Sequence, residues 1–346
     1  MKNDSLLLLT LNRLTFLKPV ERLFLAELCG SVGELVRLSR PGLEHILGRT
    51  LRVRDWSWGE VVKEAEQDQK HLTNRRINSI FYWDAAYPPQ LREIYDPPIV
   101  LFYRGRLPDN TSPLVAVVGT RRPSGAARAA AYRMGYELAE LGLGTVSGLA
   151  LGIDAEAHRG TLDAGGLTVA VLGNGVDTLF PRANAGLGVR ILRQGGLLVS
   201  EYPPGTEPRP YYFPARNRII SGLCRSTLVV QAPERSGALI TADYALEQGR
   251  DLAVHAAGLN GIVGRGTLAL RESGAALVRE AADIPAGWGW QRRPGRTTRR
   301  SVSPPDPETA VCAADAGAAL ARRVELELAG KGKYYNGNFC IKQQRG

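Results

Sequence analysis

The residues in this chain best suited to chemistry are glycines, serines and arginines that recur together, each time just after a short apolar run. "GTRRPSG" (Gly119 to Gly125) follows "LVAVV", "SGLALGID" (Ser147 to Asp154) follows "GTV", and "GNGVDTLFPRAN" (Gly173 to Asn184) follows "TVAVL". "GLLV" leads through "SEYPPGTEPRP" into "YYFPARNR", and "STLVVQA" leads into "PERSGALIT" (Pro233 to Thr241). Glycine lets a ligand come close to backbone N–H groups, and the planar fork of arginine suits phosphate. Arg121, Arg122, Arg182, Arg209, Arg216, Arg218 and Arg235 all fall in these loops. Acids share them (Asp154, Asp177, Glu201, Glu207 and Glu234), so the surface they form is not uniformly basic.

The stretch "YYFPARNRIISG" (Tyr211 to Gly222) sets aromatics, arginines and an asparagine at the start of an apolar helix. Pro214 suits a first helical turn, and the sequence predicts a helix over 215–223 with Ile219, Ile220 and Leu223 facing the core. Arg216 and Arg218 then lie on the first turn, beside the positive end of the helix dipole. Cations are disfavoured there unless an anion compensates. Phe213, just ahead, offers a face on which a base can stack. In the alternative reading Phe213 belongs to the core, Asn217 caps a loop, and the arginines pair with Glu201 or Asp243.

Several other chemistries fit poorly. "GTRRPSGA" lacks the Lys-Ser/Thr of a P-loop and the G-x-G-x-x-G of a dinucleotide site. Asp154 and His158, four apart, share one helix face but have no third partner that would make a metal or catalytic set. Ser147 and Ser236 do not match G-x-S-x-G. They read as hydroxyl donors or helix caps. Gln231, at a strand end, is neutral and makes a poor general base. No catalytic residue, metal site or cofactor is expected.

The elements that must hold these loops follow from hydrophobic patterning. From Leu114 onward, fully apolar runs alternate with helical segments, the mark of strands covered on both faces and hence of a parallel doubly wound sheet. In such a sheet ligands bind beyond the carboxyl ends of the strands, where helix N-termini present free N–H groups. Residues 1 to about 80 read as helical. "DAAYPPQLREIYDPPIVLFYRG" carries too many prolines for a helix interior and ends in a strand over 99–103. Beyond Ile284, "PAGWGWQRRPGRTTRRSVSPPDPE" reads as a basic linker. The last segment holds at most one amphipathic helix. The expected division is 1–83 helical, 84–284 sheet domain, 285–310 linker and 311–346 remainder.

The 346 residues allow two domains, and 44 Lys+Arg against 34 Asp+Glu give a formal charge of +10, which favours a polyanionic partner. The cysteines, Cys29, Cys224, Cys312 and Cys340, are far apart and form no CxxC pair, which fits a reducing compartment. "LLLLTL" near the start is too short to span a bilayer. A cytoplasmic protein without a membrane segment is expected.

Read in order, the loops resemble the DNA-processing protein A (DprA/Smf) family. The matching pieces are "VAVVGTRRPSG", "VSGLALGIDAEAH", "TVAVLGNGVDTLFPRAN", "GLLVSEYPPGT", "FPARNRIISGL" and "RSGALITADYALEQGRDLAVHAAG", over roughly residues 84 to 280. The resemblance implies an extended Rossmann-like, mostly parallel sheet, preceded by a small SAM-like helical domain and followed by a truncated winged-helix remnant. It implies a non-enzymatic homodimer that binds single-stranded DNA, protects incoming strands in natural transformation and hands them to the recombinase RecA. The implied DNA-binding residues are Gly119, Thr120, Arg121 and Arg122, then Ser147, Gly148 and Arg209, then Phe213, Arg216, Asn217 and Arg218, and finally Ser236 and Gly237. The sequence departs from the family at Leu268, where Asn is frequent, at "AVHAAG" for "AVPG", and at Gln231, where Glu is common. The rival reading is an enzyme hydrolysing nucleoside monophosphates, or a nucleotide sensor, on the same fold. The "PGGxGT" signature of the hydrolases is absent from the sequence.

Overall fold

The computed structural model describes residues 4–53, 55–108, 113–284 and 288, and the backbone of two short strands at 332–335 and 338–341. The chain starts with five helices, α1 (Ser5–Arg13), α2 (Pro19–Leu28), α3 (Val32–Leu35), α4 (Arg40–Leu47) and α5 (Trp58–Arg75). The leucine run that opens the sequence is α1 itself, and Leu7, Leu8, Leu9 and Leu11 sit at the centre of the helical core. One carboxylate organises the start of this bundle: Asp4 accepts from Leu6 N at 3.0 Å, capping α1, and from Val32 N at 3.1 Å, fixing α3. Among the described residues no helix is long and apolar enough to cross a membrane.

The remaining elements are β1 (Asn78–Phe81), α6 (Pro89–Arg92), β2 (Val100–Gly105), β3 (Leu114–Val118), α7 (Gly125–Glu140), β4 (Gly144–Ser147), α8 (Ile153–Asp163), β5 (Thr168–Val171), α9 (Ala185–Arg193), β6 (Leu197–Ser200), α10 (Tyr212–Gly222), β7 (Ser226–Val229), α11 (Gly237–Glu247), β8 (Asp251–His255), α12 (Arg265–Glu272) and β9 (Ala276–Val278). They form one nine-stranded sheet in the order β1-β2-β6-β5-β4-β3-β7-β8-β9. Every pairing from β6 to β9 is parallel, as the apolar runs predict, while β1–β2 and β2–β6 are antiparallel. β10 (Gly332–Tyr335) and β11 (Asn338–Ile341) make a separate antiparallel hairpin.

Side chains of β3 show how both faces are filled. Val115 and Val117 pack with Ala127, Ala130, Ala131 and Met134 of α7, while Ala116 and Val118 pack with Ile219 and Ile220 of α10 and with Ala238 and Ala242 of α11. A third core joins the N-terminal helices to the sheet, running from Leu7 and Leu25 through Phe102 and Leu149 to Leu187 and Leu198.

Two expectations change. Residues 78–81 are not helical but form β1, so the sheet begins ahead of the boundary expected at 83/84; pairing with β2, distant in sequence, decides it. The final segment, expected to hold at most one helix, contains the β10–β11 hairpin. The basic stretch at 285–310 lies outside the described residues except for Trp288, as do Cys312 and any helix at 311–331.

The chain steps outward from β3 to β6, then crosses back through α10 to place β7 on the other side of β3. That reversal opens a crevice at the carboxyl ends of β3 and β7.

Candidate nucleic-acid interface

The two loops at the reversal are tied together by Gln231. Thr120 N donates to the Gln231 main-chain oxygen at 2.7 Å, and Ser124 N donates to its side-chain Oε1 at 2.8 Å. The neutral amide therefore joins the strand ends and does not act as a base. Ser124 also caps α7, accepting from Ala127 N at 3.2 Å. From the adjoining loop Ile153 N donates to Thr120 O at 3.2 Å. Gly152, at φ +79°, lets that loop lie flat there, since a Cβ would collide with the Thr120 carbonyl oxygen. Over this base Arg121 and Arg122 stand exposed, with no ion-pair partner among the described residues.

α10 reaches several strand ends and loops. Phe213 packs on Gly173 after β5 and against Phe180, with ring centroids 5.5 Å apart. Arg216 donates to Gly148 O after β4 at 3.0 Å and to Val171 O at the end of β5. Asn217 donates to Gly237 O at 3.0 Å, holding the start of α11. Arg218 grips Glu201 after β6 with both terminal nitrogens (2.8 and 2.6 Å) and Asp96 through Nε at 2.8 Å.

This corrects the expected position of the arginines. The helix begins at Tyr212, not Ala215, so Arg216 and Arg218 fall in its second turn, and each is only 4% exposed. Arg218 does pair with Glu201, but its second partner is Asp96, not Asp243. Burial lowers the Arg216 pKa to about 10, against the attraction of Asp154. For Arg218 burial acts the same way, but Glu201 and Asp96 outweigh it and its pKa rises. Both remain guanidinium ions near neutral pH.

Asp154 and His158 are also interior groups. Asp154 Oδ2 accepts from Gly148 N at 3.0 Å and Ala150 N at 3.3 Å, and burial raises its pKa. His158 Nδ1 lies 2.7 Å from Thr168 Oγ1, whose own hydroxyl donates to Thr145 O at 3.2 Å, so Nδ1 carries the proton. Burial, then Arg216 and Arg159, lower its pKa to about 3, keeping the ring neutral. The shared helix face thus gives a packed pair and no open acid–base site.

The remaining expected residues divide the same way. Ser147 is buried and donates to Val117 O at 2.7 Å, and Gly148 lies beneath Arg216 and Asp154, where a Cβ would stand 2.6 Å from Nη2 and 2.9 Å from Oδ2. Ser236 caps α11, accepting from Ala238 N at 3.2 Å, and Gly237 is exposed with open space where a Cβ would be. Arg209 is exposed and donates to Tyr211 Oη at 2.9 Å. Arg121, Arg122, Arg209, Ser236 and Gly237 therefore present a surface, while Ser147, Gly148, Arg216, Asn217 and Arg218 build its support. Thr120 and Phe213 are half-buried between the two.

Sequence reasoning missed Asp96 and Phe180 as parts of this support. Nothing local marks Asp96, whose partner lies 122 residues away; Phe180 sat within a loop already singled out. Among the described residues, no cluster of His, Cys, Asp and Glu could hold a metal ion.

The profile of a family described as DNA recombination-mediator protein A matches residues 78–288. The DNA processing protein DprA of Streptococcus pneumoniae is 43% identical over 222 residues, covering 63% of this chain and 78% of that protein. Protein Smf of Escherichia coli is 44% identical over 198 residues, covering 57% of this chain and 53% of its own length. The X-ray structure of the S. pneumoniae protein superposes with a TM-score of 0.67 at 36% identity, covering 83% of this chain and 98% of that one. A structure of DNA processing protein A from Helicobacter pylori, described for its single-stranded DNA binding mode, gives a TM-score of 0.53 at 27% identity, covering 62% and 95%.

Proposed function

The chain belongs to the DNA recombination-mediator protein A (DprA/Smf) family, and on that premise we propose that it binds single-stranded DNA along the carboxyl ends of its parallel strands. The observation that carries this reading is the pair of exposed, carboxylate-free guanidinium groups, Arg121 and Arg122, over a crevice whose backbone is already fixed. Phosphates would lie against these arginines and the open backbone at Ser236 and Gly237, with Arg209 meeting the strand only where it leaves the crevice, and a base would meet the part of Phe213 left uncovered. Such contacts follow the sugar–phosphate backbone and tolerate any sequence. The binding residues proposed from the sequence thus act in two ways: some touch the strand, and Ser147, Gly148, Arg216, Asn217 and Arg218 hold those that do.

Within this reading the protein is a cytoplasmic homodimer that shields incoming strands in natural transformation and delivers them to RecA. It does so without catalysing a reaction: Asp154 and His158, the acid and imidazole that share a helix face behind the β4 loop, are committed to interior hydrogen bonds.

Binding of labelled single- and double-stranded DNA of equal length, over a salt series, tests the reading. The expected result is single-strand preference, with the logarithmic salt slope shallower by about 0.7 in Arg121→Ala, the value for one single-strand phosphate contact. Equal binding to both forms, unchanged by the substitution, would sink it. Ribose release from nucleoside monophosphates would establish a hydrolase instead, and tighter binding of mononucleotides than of oligomers would establish a sensor.

A further inference from the structure

α10 has a second side. Phe213, Arg216 and Asn217 point to the strand ends, but Tyr212, Ala215 and Arg218, spaced by three, line a cleft between the sheet and the N-terminal helices. The cleft has a volume of about 1030 Å³, and its far wall is made by Arg13, Arg22, Glu64 and His71. On the near side Tyr202 lies against Tyr212 with centroids 4.0 Å apart, and Tyr211 meets Tyr212 at 4.6 Å. The guanidinium of Arg209 lies 6.0 Å from the Tyr212 ring centroid, and Tyr211 is 59% exposed.

The charges here are sorted. Glu64 is taken by Arg13, and Asp96 and Glu201 by Arg218. Arg22 has no carboxylate partner among the described residues; its Nε donates to Leu14 O at 3.2 Å. Arg209 donates to a tyrosine. His71 Nδ1 is buried without a hydrogen-bond partner. Against these stands Glu207, exposed and without an ion-pair partner among the described residues. The lining thus offers unpaired cations and an open aromatic edge, the two features that single strands use.

We propose that this cleft is a second nucleotide subsite, in which a strand leaving the crevice over the start of α10 stacks a base on the Tyr211–Tyr212 pair with its phosphate between Arg22 and Arg209. The N-terminal helices then form one wall of the DNA path. The inference rests on strand binding at the crevice, and its test separates the two. Full-length protein carrying Tyr211→Ala or Arg22→Ala is titrated with oligothymidylates of about six and about twenty nucleotides, spanning the range of known single-strand site sizes.

Each substitution is expected to weaken the longer oligomer by about ten-fold, the size of one stacking or ionic contact, and to leave the shorter nearly unchanged. Arg121→Ala weakens both. Long oligomers bearing 5-iodouracil should in addition crosslink to Tyr211 or Tyr212. If Arg121→Ala weakens both lengths while Tyr211→Ala and Arg22→Ala weaken neither, the crevice stands and the subsite falls. If Arg121→Ala has no effect, the crevice reading itself fails. Saturation of the crosslinking position by thymidine monophosphate as tightly as by the long oligomer would assign a free-nucleotide site and overturn the path.

Discussion

Arg216 and Arg218 stand two positions apart on α10, which turns their side chains about 200° from each other around the helix. One therefore enters the sheet ends and meets carbonyl oxygens, while the other turns to Glu201 and Asp96. Neither direction can be read from "PARNR", because a short polar run carries no periodicity to orient it. The residue types were legible and their directions were not. Arg121 and Arg122 differ because their loop has no helix to turn them inward. Arg218→Ala strands two carboxylates, Glu201 at 14% exposure and Asp96 at 33%. Removing one partner of a buried ion pair typically destabilises by about 3 kcal/mol, and the partial exposure of Asp96 moderates it here. The urea midpoint of Arg218→Ala should fall accordingly. An unmoved midpoint with lost DNA binding would make Arg218 a contact and not a support.

At the scale of elements, α10 and the glycines around it decide the geometry of the site. Gly148→Ala forces a Cβ to within 2.6 Å of the Arg216 guanidinium and 2.9 Å of the Asp154 carboxylate. Overpacking of this kind costs about 1–3 kcal/mol. Gly237, at the first position of α11, meets nothing within 4 Å and needs no positive φ, so the fold makes no demand for glycine there. Gly237→Ala should leave thermal stability unchanged while weakening single-stranded DNA, because the methyl group occupies space a phosphate would use. If Gly237→Ala binds as wild type does, the strand does not approach that backbone. The strands from Leu114 onward were plain in the sequence because full burial makes each an unbroken apolar run. β1 was not: "NSIF" is short and mixed, and only antiparallel pairing with β2 makes it a strand.

Taken whole, the N-terminal helices and the sheet share a core, with Leu7, Leu25, Phe102, Leu149 and Leu198 in one cluster. The two parts should therefore unfold together. Urea unfolding followed by the fluorescence of Trp56 and Trp58, in a variant with Trp83, Trp288 and Trp290 replaced by Phe, should coincide with the far-ultraviolet dichroism of the whole fold. A fluorescence transition at lower urea would mean that the helices detach first and that the cleft they wall is not a fixed feature. The sequence suggested two domains because the pattern changes near residue 80. It could not reveal that leucines of the first helix complete the covering of the sheet.

The antiparallel pair β1–β2 has one more consequence. Any open sheet ends in strands whose N–H and C=O groups can recruit a neighbouring chain, and the long parallel run would otherwise finish at β6. Here the outer strands are β1, four residues with Asn78 and Ser79 leading, and β9, three residues. So short a margin offers little template for strand addition, and crowding of many copies should not knit their sheets together into aggregates.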